Sequence, residues 1–184
     1  QGSAKKNYNN HPFFGHVKEE SFALAHNGVL WNDLELRHAK HLPRTKVQTD
    51  SYIAVQLLEQ KKSLDFDSLR YMAEQVEGSF SFTVLDEQSA LWIVKGDSPL
   101  SIAYFPERGG YVYASTVEIL NKALTRCGKQ LGHRRTVEVE MGDLLKIDRR
   151  GHITRATFDA SKLCRPSWKY WSCLLYTSPS PRDT

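Results

Sequence analysis

"FALAHNGVLWND", residues 22–33, sets a bare His-Asn-Gly between two apolar runs, and its reading decides what the rest of the chain can be. Phe22 and Leu24 alternate with smaller residues, which is the period-2 pattern of a strand. Asn-Gly is a strong hairpin signal because both residues accept positive φ, so the plain expectation is a strand entering a turn at Asn27-Gly28. "VLWNDLEL" does not mirror that strand, however, and "WND" reads as a turn or a helix cap. The alternative is chemical. The side-chain amide of Asn27 and the backbone N–H of Gly28, aimed at one point, are the two donors that a developing tetrahedral oxyanion needs. Gly at the second position lets a substrate approach the backbone closely.

Outward from this stretch, "DSYIAVQLLEQ" (residues 50–60) carries Ile53, Leu57 and Leu58 at helical spacing behind an Asp-Ser cap. "FDSLRYMAEQV" (66–76) repeats the pattern with Phe66, Leu69, Ala73 and Val76. In "GSFSFTVLDEQSALWIVKG" (78–96) alternation returns at Phe80, Phe82 and Val84 and again at Leu91 and Ile93, an antiparallel hairpin around Asp-Glu-Gln-Ser. "LSIAYF" and "YVYAST" form a second strand pair, "VEILNKALT" a short helix, and "VEVEMGDLLKIDRRGHITRATF" further strands with turns at Met141-Gly142 and Arg150-Gly151. Strands, two helices, then many antiparallel strands with one more helix make an α+β layered domain.

With 184 residues, 40% of them hydrophobic, one core suffices and one domain is expected. The formal charge of +4 comes from scattered Lys and Arg nearly balanced by acids, so no face reads as a nucleic-acid surface. No run of about 18 apolar residues is present, which excludes a spanning helix and a membrane role. "QGSAKKNYNN" lacks the apolar stretch of a signal peptide, so a cytoplasmic protein is expected. Cys127, Cys164 and Cys173 are an odd number at wide spacings, unsuited to a disulfide framework or a zinc site. His38 and His41, three apart, could share a helix face for a metal, but no acidic or cysteine partner stands near, and no metal or cofactor is assigned. Both ends break the pattern. The chain opens on Gln1, which favours a fragment over a processed product, and "CLLYTSPSPRDT" (173–184) resembles a translated sequencing adapter and is set aside from fold reasoning.

Two further stretches have ordinary readings of their own. "TDS" (49–51) places Asp50 or Ser51 as an N-cap, and "NNHPF" (9–13) is an extended X-Pro turn. Taken in order, "NNHPF", "LAHNGVLWN", "TDS", "VEGSFSFTVLD", "KGDSPLSIAY", "YVYAST" and "VEMGDLLKID" resemble the glutaminase domain of the class II glutamine amidotransferases. The resemblance covers roughly residues 1–158, and its most specific element is the ordered pair His-Asn-Gly and Thr-Asp-Ser.

That resemblance implies an N-terminal-nucleophile hydrolase fold, a four-layer αββα sandwich of two antiparallel sheets, here incomplete. It implies hydrolysis of L-glutamine to glutamate and ammonia by an N-terminal Cys. The Cys α-amine serves as base and a glutamyl thioester forms. Asn27 and Gly28 match the oxyanion hole; Asp50 matches the residue that takes the substrate α-ammonium, with Gly28, Thr49 and His26 as further glutamine-binding residues. The family's Cys, and the Arg of an Arg-x-Ala-Thr motif that binds the α-carboxylate, would precede Gln1. The chain as written is therefore expected to be inactive. "GDSPL" corresponds loosely to the family's "RDPxGxRPL", with Asp97, Pro99 and Leu100 kept and Lys95 replacing the Arg. The expected division is an amidotransferase domain over 1–160, an extension over 161–172 and the adapter-like tail beyond. L-Glutamine and an ammonia-accepting synthase or transferase domain are the implied partners. The alternative is a non-catalytic relative that binds glutamine or a partner protein.

Overall fold

The computed structural model describes residue 3 and residues 5–18, 20–127 and 132–163. The tail from Cys173, Cys164, most of the 161–172 extension and Gln1-Gly2 lie outside those residues. The chain is α+β, with two antiparallel sheets and four α-helices among the described residues. Its strands are β1 (Phe13–Val17), β2 (Glu20–Leu30), β3 (Gly78–Asp86), β4 (Leu91–Lys95), β5 (Ser101–Phe105), β6 (Gly110–Ala114), β7 (Arg135–Val137), β8 (Asp143–Ile147) and β9 (Ile153–Thr157). The helices are α1 (Asp33–Ala39), α2 (Tyr52–Lys61), α3 (Phe66–Gln75) and α4 (Val117–Cys127).

The larger sheet runs β1-β2-β3-β4-β8-β9 and the smaller β6-β5-β7; neither closes. Alternation along each strand assigns the layers. Phe22 and Leu24 of β2, Phe80, Phe82 and Val84 of β3 and Val94 of β4 face Ile53, Leu57, Leu58, Leu69 and Met72 of α2 and α3, forming the main core. The opposite face meets the smaller sheet through Ile93, Leu145, Ile147 and Ile102. Ala103 and Phe105 of β5 pack outward on Leu120 of α4. Helices, sheet, sheet and helix are the expected four layers. Burying a side chain such as Phe82, which is wholly inaccessible, contributes about 1.5–3 kcal/mol.

Two local expectations are corrected. Asn27-Gly28 is not a turn, because β2 continues through it to Leu30 in register with β3, pairing Asn27 with Ser81 and Gly28 with Phe80. The chain turns only after Trp31, into α1, a helix the apolar pattern did not predict because it buries only Leu36. Nor do His38 and His41 share a helix face: α1 ends at Ala39, and His41 has φ 51°.

Candidate active site

The site is built on the last four residues of β2. Gly28 has φ 139° and Gly78 has φ 144°, values that only glycine adopts without strain. A Cβ on Gly28 would lie 1.9 Å from the Ser79 carbonyl oxygen, and one on Gly78 would lie 2.1 Å from that of Val29. Two glycines, Gly28 opposite Phe80 and Gly78 opposite Leu30, thus let β2 and β3 stay paired through a conformation closed to other residues.

The ladder itself fixes where the Gly28 N–H points. Antiparallel partners exchange both backbone hydrogen bonds or neither. Both backbone groups of Phe80 are taken on its other side: its N–H donates to Asp97 Oδ1 at 2.9 Å and its carbonyl accepts the Ser98 N–H at 3.2 Å. The Gly28–Phe80 pair is therefore of the non-bonded kind, and the Gly28 N–H points away from β3. On that side β1 pairs no further than Leu24. Leu30, two residues on and facing the same way, donates its N–H to Asp50 Oδ2 at 2.7 Å. Trp31, of opposite parity, donates across to the Glu77 carbonyl.

Asp50 is thus not a helix cap. Ser51 occupies the N-cap position of α2 and neither side chain caps it. The Asp50 carboxylate instead ties the start of α2 to the open edge of β2. The neighbouring Thr49 hydroxyl is buried without a hydrogen-bond partner among the described residues, an uncommon state for such a group.

His26 and Asn27 project to opposite faces of the sheet. His26 is 8% exposed and stacks on Phe82 at 4.6 Å between ring centres. Its Nε2 lies 3.4 Å from the Ser79 carbonyl, which can only accept, so Nε2 carries the hydrogen and Nδ1 accepts from the Ser51 hydroxyl at 2.8 Å. Burial lowers its pKa to about 4, against the opposing pull of Asp50. His11 stands 6.4 Å away, and burial lowers its pKa too, again opposed by the Asp50 charge. Asn27 faces the other way, into a cavity of about 150 Å³ lined by Ala25, Ser81, Thr83, Leu100 and Tyr113, and its Nδ2 donates to the Pro99 carbonyl at 3.2 Å. The structure thus brings Asn27, Gly28, Thr49 and Asp50 to one corner of β2 and sets the His26 ring beneath it. Among the described residues no three His, Cys, Asp or Glu side chains converge as a metal set, and no helix is long and apolar enough to cross a membrane.

A family model described as a glutamine amidotransferase domain matches residues 4–122, which includes every residue of this corner. The chain belongs to that family. Sequences similar to it include the 7-cyano-7-deazaguanine synthase of Saccharolobus solfataricus, 32% identical over 95 residues, 50% of this chain and 19% of that one. The glutamine–fructose-6-phosphate aminotransferase of Streptococcus agalactiae is 33% identical over 90 residues, 44% of this chain and 15% of that one. The chain thus spans less than a quarter of the length of these curated relatives. Among solved structures, the glutamine phosphoribosylpyrophosphate amidotransferase of B. subtilis superposes with a TM-score of 0.64 at 23% identity, over 86% of this chain and 34% of that one. An allosteric regulatory enzyme of purine biosynthesis gives 0.62 at 24% identity, over 82% and 31%. These likenesses show the N-terminal-nucleophile hydrolase fold of a class II amidotransferase domain.

Sequence reasoning passed over Ser51 as a partner of His26, and over Ser79, Ser81 and Ser98. The signal was in "GSFSF": two serines alternate with two phenylalanines, so one face of β3 is polar where it meets the 96–99 loop.

Proposed function

We propose that this domain binds L-glutamine at the Gly28 end of β2 and hydrolyses it to glutamate and ammonia, using a nucleophilic Cys carried by a segment upstream of Gln1. The Gly28 N–H carries the proposal: the non-bonded Gly28–Phe80 pair turns it to the open edge of β2, where Asp50 also stands. In the reaction the Cys thiolate attacks the glutamine δ-carbonyl. The negative charge that develops on the oxygen is met by the Gly28 N–H and the Asn27 amide, the Cys α-amine passes the proton it took from the thiol to the leaving nitrogen so that ammonia departs, and water hydrolyses the thioester. Asp50 holds the α-ammonium, and the unpartnered Thr49 hydroxyl offers a further hydrogen bond to the substrate. His26, enclosed and neutral, supports these residues from beneath.

The upstream segment has a place to lie. Among the described residues β6 pairs with β5 on one side only, and the inner face of the larger sheet beside it leaves Phe14 70% and Leu85 50% exposed. A strand there would complete the smaller sheet and bring its residues over Ala25 and Asn27. The ammonia is consumed by a synthase or transferase domain outside this chain, in keeping with relatives that are a synthase and an aminotransferase.

The test is ammonia release from glutamine by the chain as written and by the same chain led by a family-type Cys segment. Turnover is expected only in the second. Release by the first, abolished by substituting Cys127, would overturn the N-terminal-nucleophile reading. Glutamine binding without turnover in both would favour the non-catalytic relative.

A further inference from the structure

We infer that Ser81 and Ser98 are positioning residues for the Asn27 amide, acting through the Gly96–Pro99 loop. This rests on the reading of Asn27 as an oxyanion donor. The β3–β4 ladder ends with Ser81 opposite Lys95, one residue before the loop begins. From there the loop takes over the partner role that β4 would have played. Asp97 accepts the Phe80 N–H, and the Ser98 N–H donates to the Phe80 carbonyl. The Ser98 carbonyl accepts the Ser81 hydroxyl at 2.7 Å, and the Ser98 and Ser79 hydroxyls meet at 2.7 Å. Lys95 Nζ donates to the Gly96 carbonyl at 2.6 Å. Gly96 itself has no room for a side chain, since a Cβ would stand 2.3 Å from the Phe80 carbonyl oxygen.

Apart from the Lys95–Gly96 bond, each of these ends on Ser79, Phe80 or Ser81, the segment of β3 that pairs with Val29, Gly28 and Asn27. The loop then presents the Pro99 carbonyl to Asn27 Nδ2. An Asn amide carries two hydrogens in one plane. Pro99 takes one of them and so fixes both the flip and the plane of the amide, leaving the other directed at the substrate. An exposed Asn without such an anchor would rotate, and an oxyanion donor that must reorganise during the reaction loses its advantage. Ser98 is buried and polar, and Ser81 shares the face of the sheet from which Asn27 projects. Their hydroxyls set the height of the Pro99 carbonyl above β2.

Two measurements test this. In the 184-residue chain, NMR of the Asn27 side-chain amide is expected to show one slowly exchanging hydrogen, lost in Ser81→Ala and in Ser98→Ala while the melting transition stays in place. In the Cys-led full chain, each substitution is expected to lower kcat by about tenfold with KM for glutamine nearly constant. In an Asn27→Ala background, Ser81→Ala should add no further loss, an outcome that a merely structural role would not give. Unchanged amide exchange in both serine variants, or a full further loss in the Asn27→Ala background, would overturn the inference. If the Cys-led wild type shows no turnover, the catalytic reading fails, while the exchange measurement still decides whether the loop holds the amide.

Discussion

Asp50 accepts the Leu30 N–H at 2.7 Å, so a carboxylate at the start of α2 is fastened to the edge of β2 two residues past Gly28. The bond uses one oxygen and leaves the charge half-buried beside the site. Asp50→Asn keeps an oxygen that can accept the Leu30 N–H and removes the charge. In the Cys-led enzyme this variant should melt close to wild type and bind glutamine more weakly by about 2–5 kcal/mol, the range for breaking one side of a buried charge pair. Steady-state kinetics check it, and an unchanged KM would leave Asp50 as a tether alone.

Gly28→Ala is expected to destabilise by roughly 3 kcal/mol or more, since backbone strain at positive φ adds to a Cβ 1.9 Å from the Ser79 carbonyl oxygen. Gly109 is the control. Its φ is 60° and nothing lies within 4 Å of a Cβ there, so Gly109→Ala should cost only about 1 kcal/mol. Urea unfolding of the two variants should separate them clearly.

The buried His26 gives the fold an acid-sensitive element. Its pKa is lowered from 6.5 in the open chain to about 4 in the fold, so the unfolded state takes up a proton first as pH falls. The stability it contributes is whole above pH 6.5 and is lost between there and about pH 4, by about 3 kcal/mol in total. His11, lowered by burial as well, acts in the same direction. Unfolding free energies over this range should fall with pH in the wild type and much less in His26→Gln.

Hydrogen exchange tests the place assigned to the upstream segment. The β6 amides that face away from β5 should exchange quickly in the chain as written and become protected when the Cys-bearing segment is added. The melting temperature should rise with them, because an added strand covers Phe14 and Leu85. Equal exchange in both forms would place that segment elsewhere.

The α+β layering, α2 and α3, and strands β3 to β6, β8 and β9 were legible because they repeat a period, 3.6 or 2, over enough residues to stand out, whereas the three-residue β7 at Arg135–Val137 was not. The candidate site was legible only by resemblance. Its local signals pointed elsewhere: Asn27-Gly28 reads as a hairpin turn, and Asp50-Ser51 as a cap. Both readings failed for the same physical reason, that long-range pairing overrode local preference. β2 runs on because Ser79 to Ser81 pair with it, and Asp50 turns from its own helix because the Leu30 N–H lies within reach. The one sequence trace of this was the second glycine, Gly78, whose place opposite Leu30, two rungs from Gly28, appears only in the ladder.

The central claim is that Asn27 is an oxyanion donor. The most direct measurement is glutamine turnover by Asn27→Ala in the Cys-led enzyme. Asn27 is exposed at the end of a strand, so the variant should fold and melt like the wild type. Its kcat should fall by roughly 10²- to 10³-fold, the effect of removing one such donor, with KM moving far less. A kcat within a few-fold of wild type would contradict the account, leaving Asn27 as a strand residue that happens to meet Pro99.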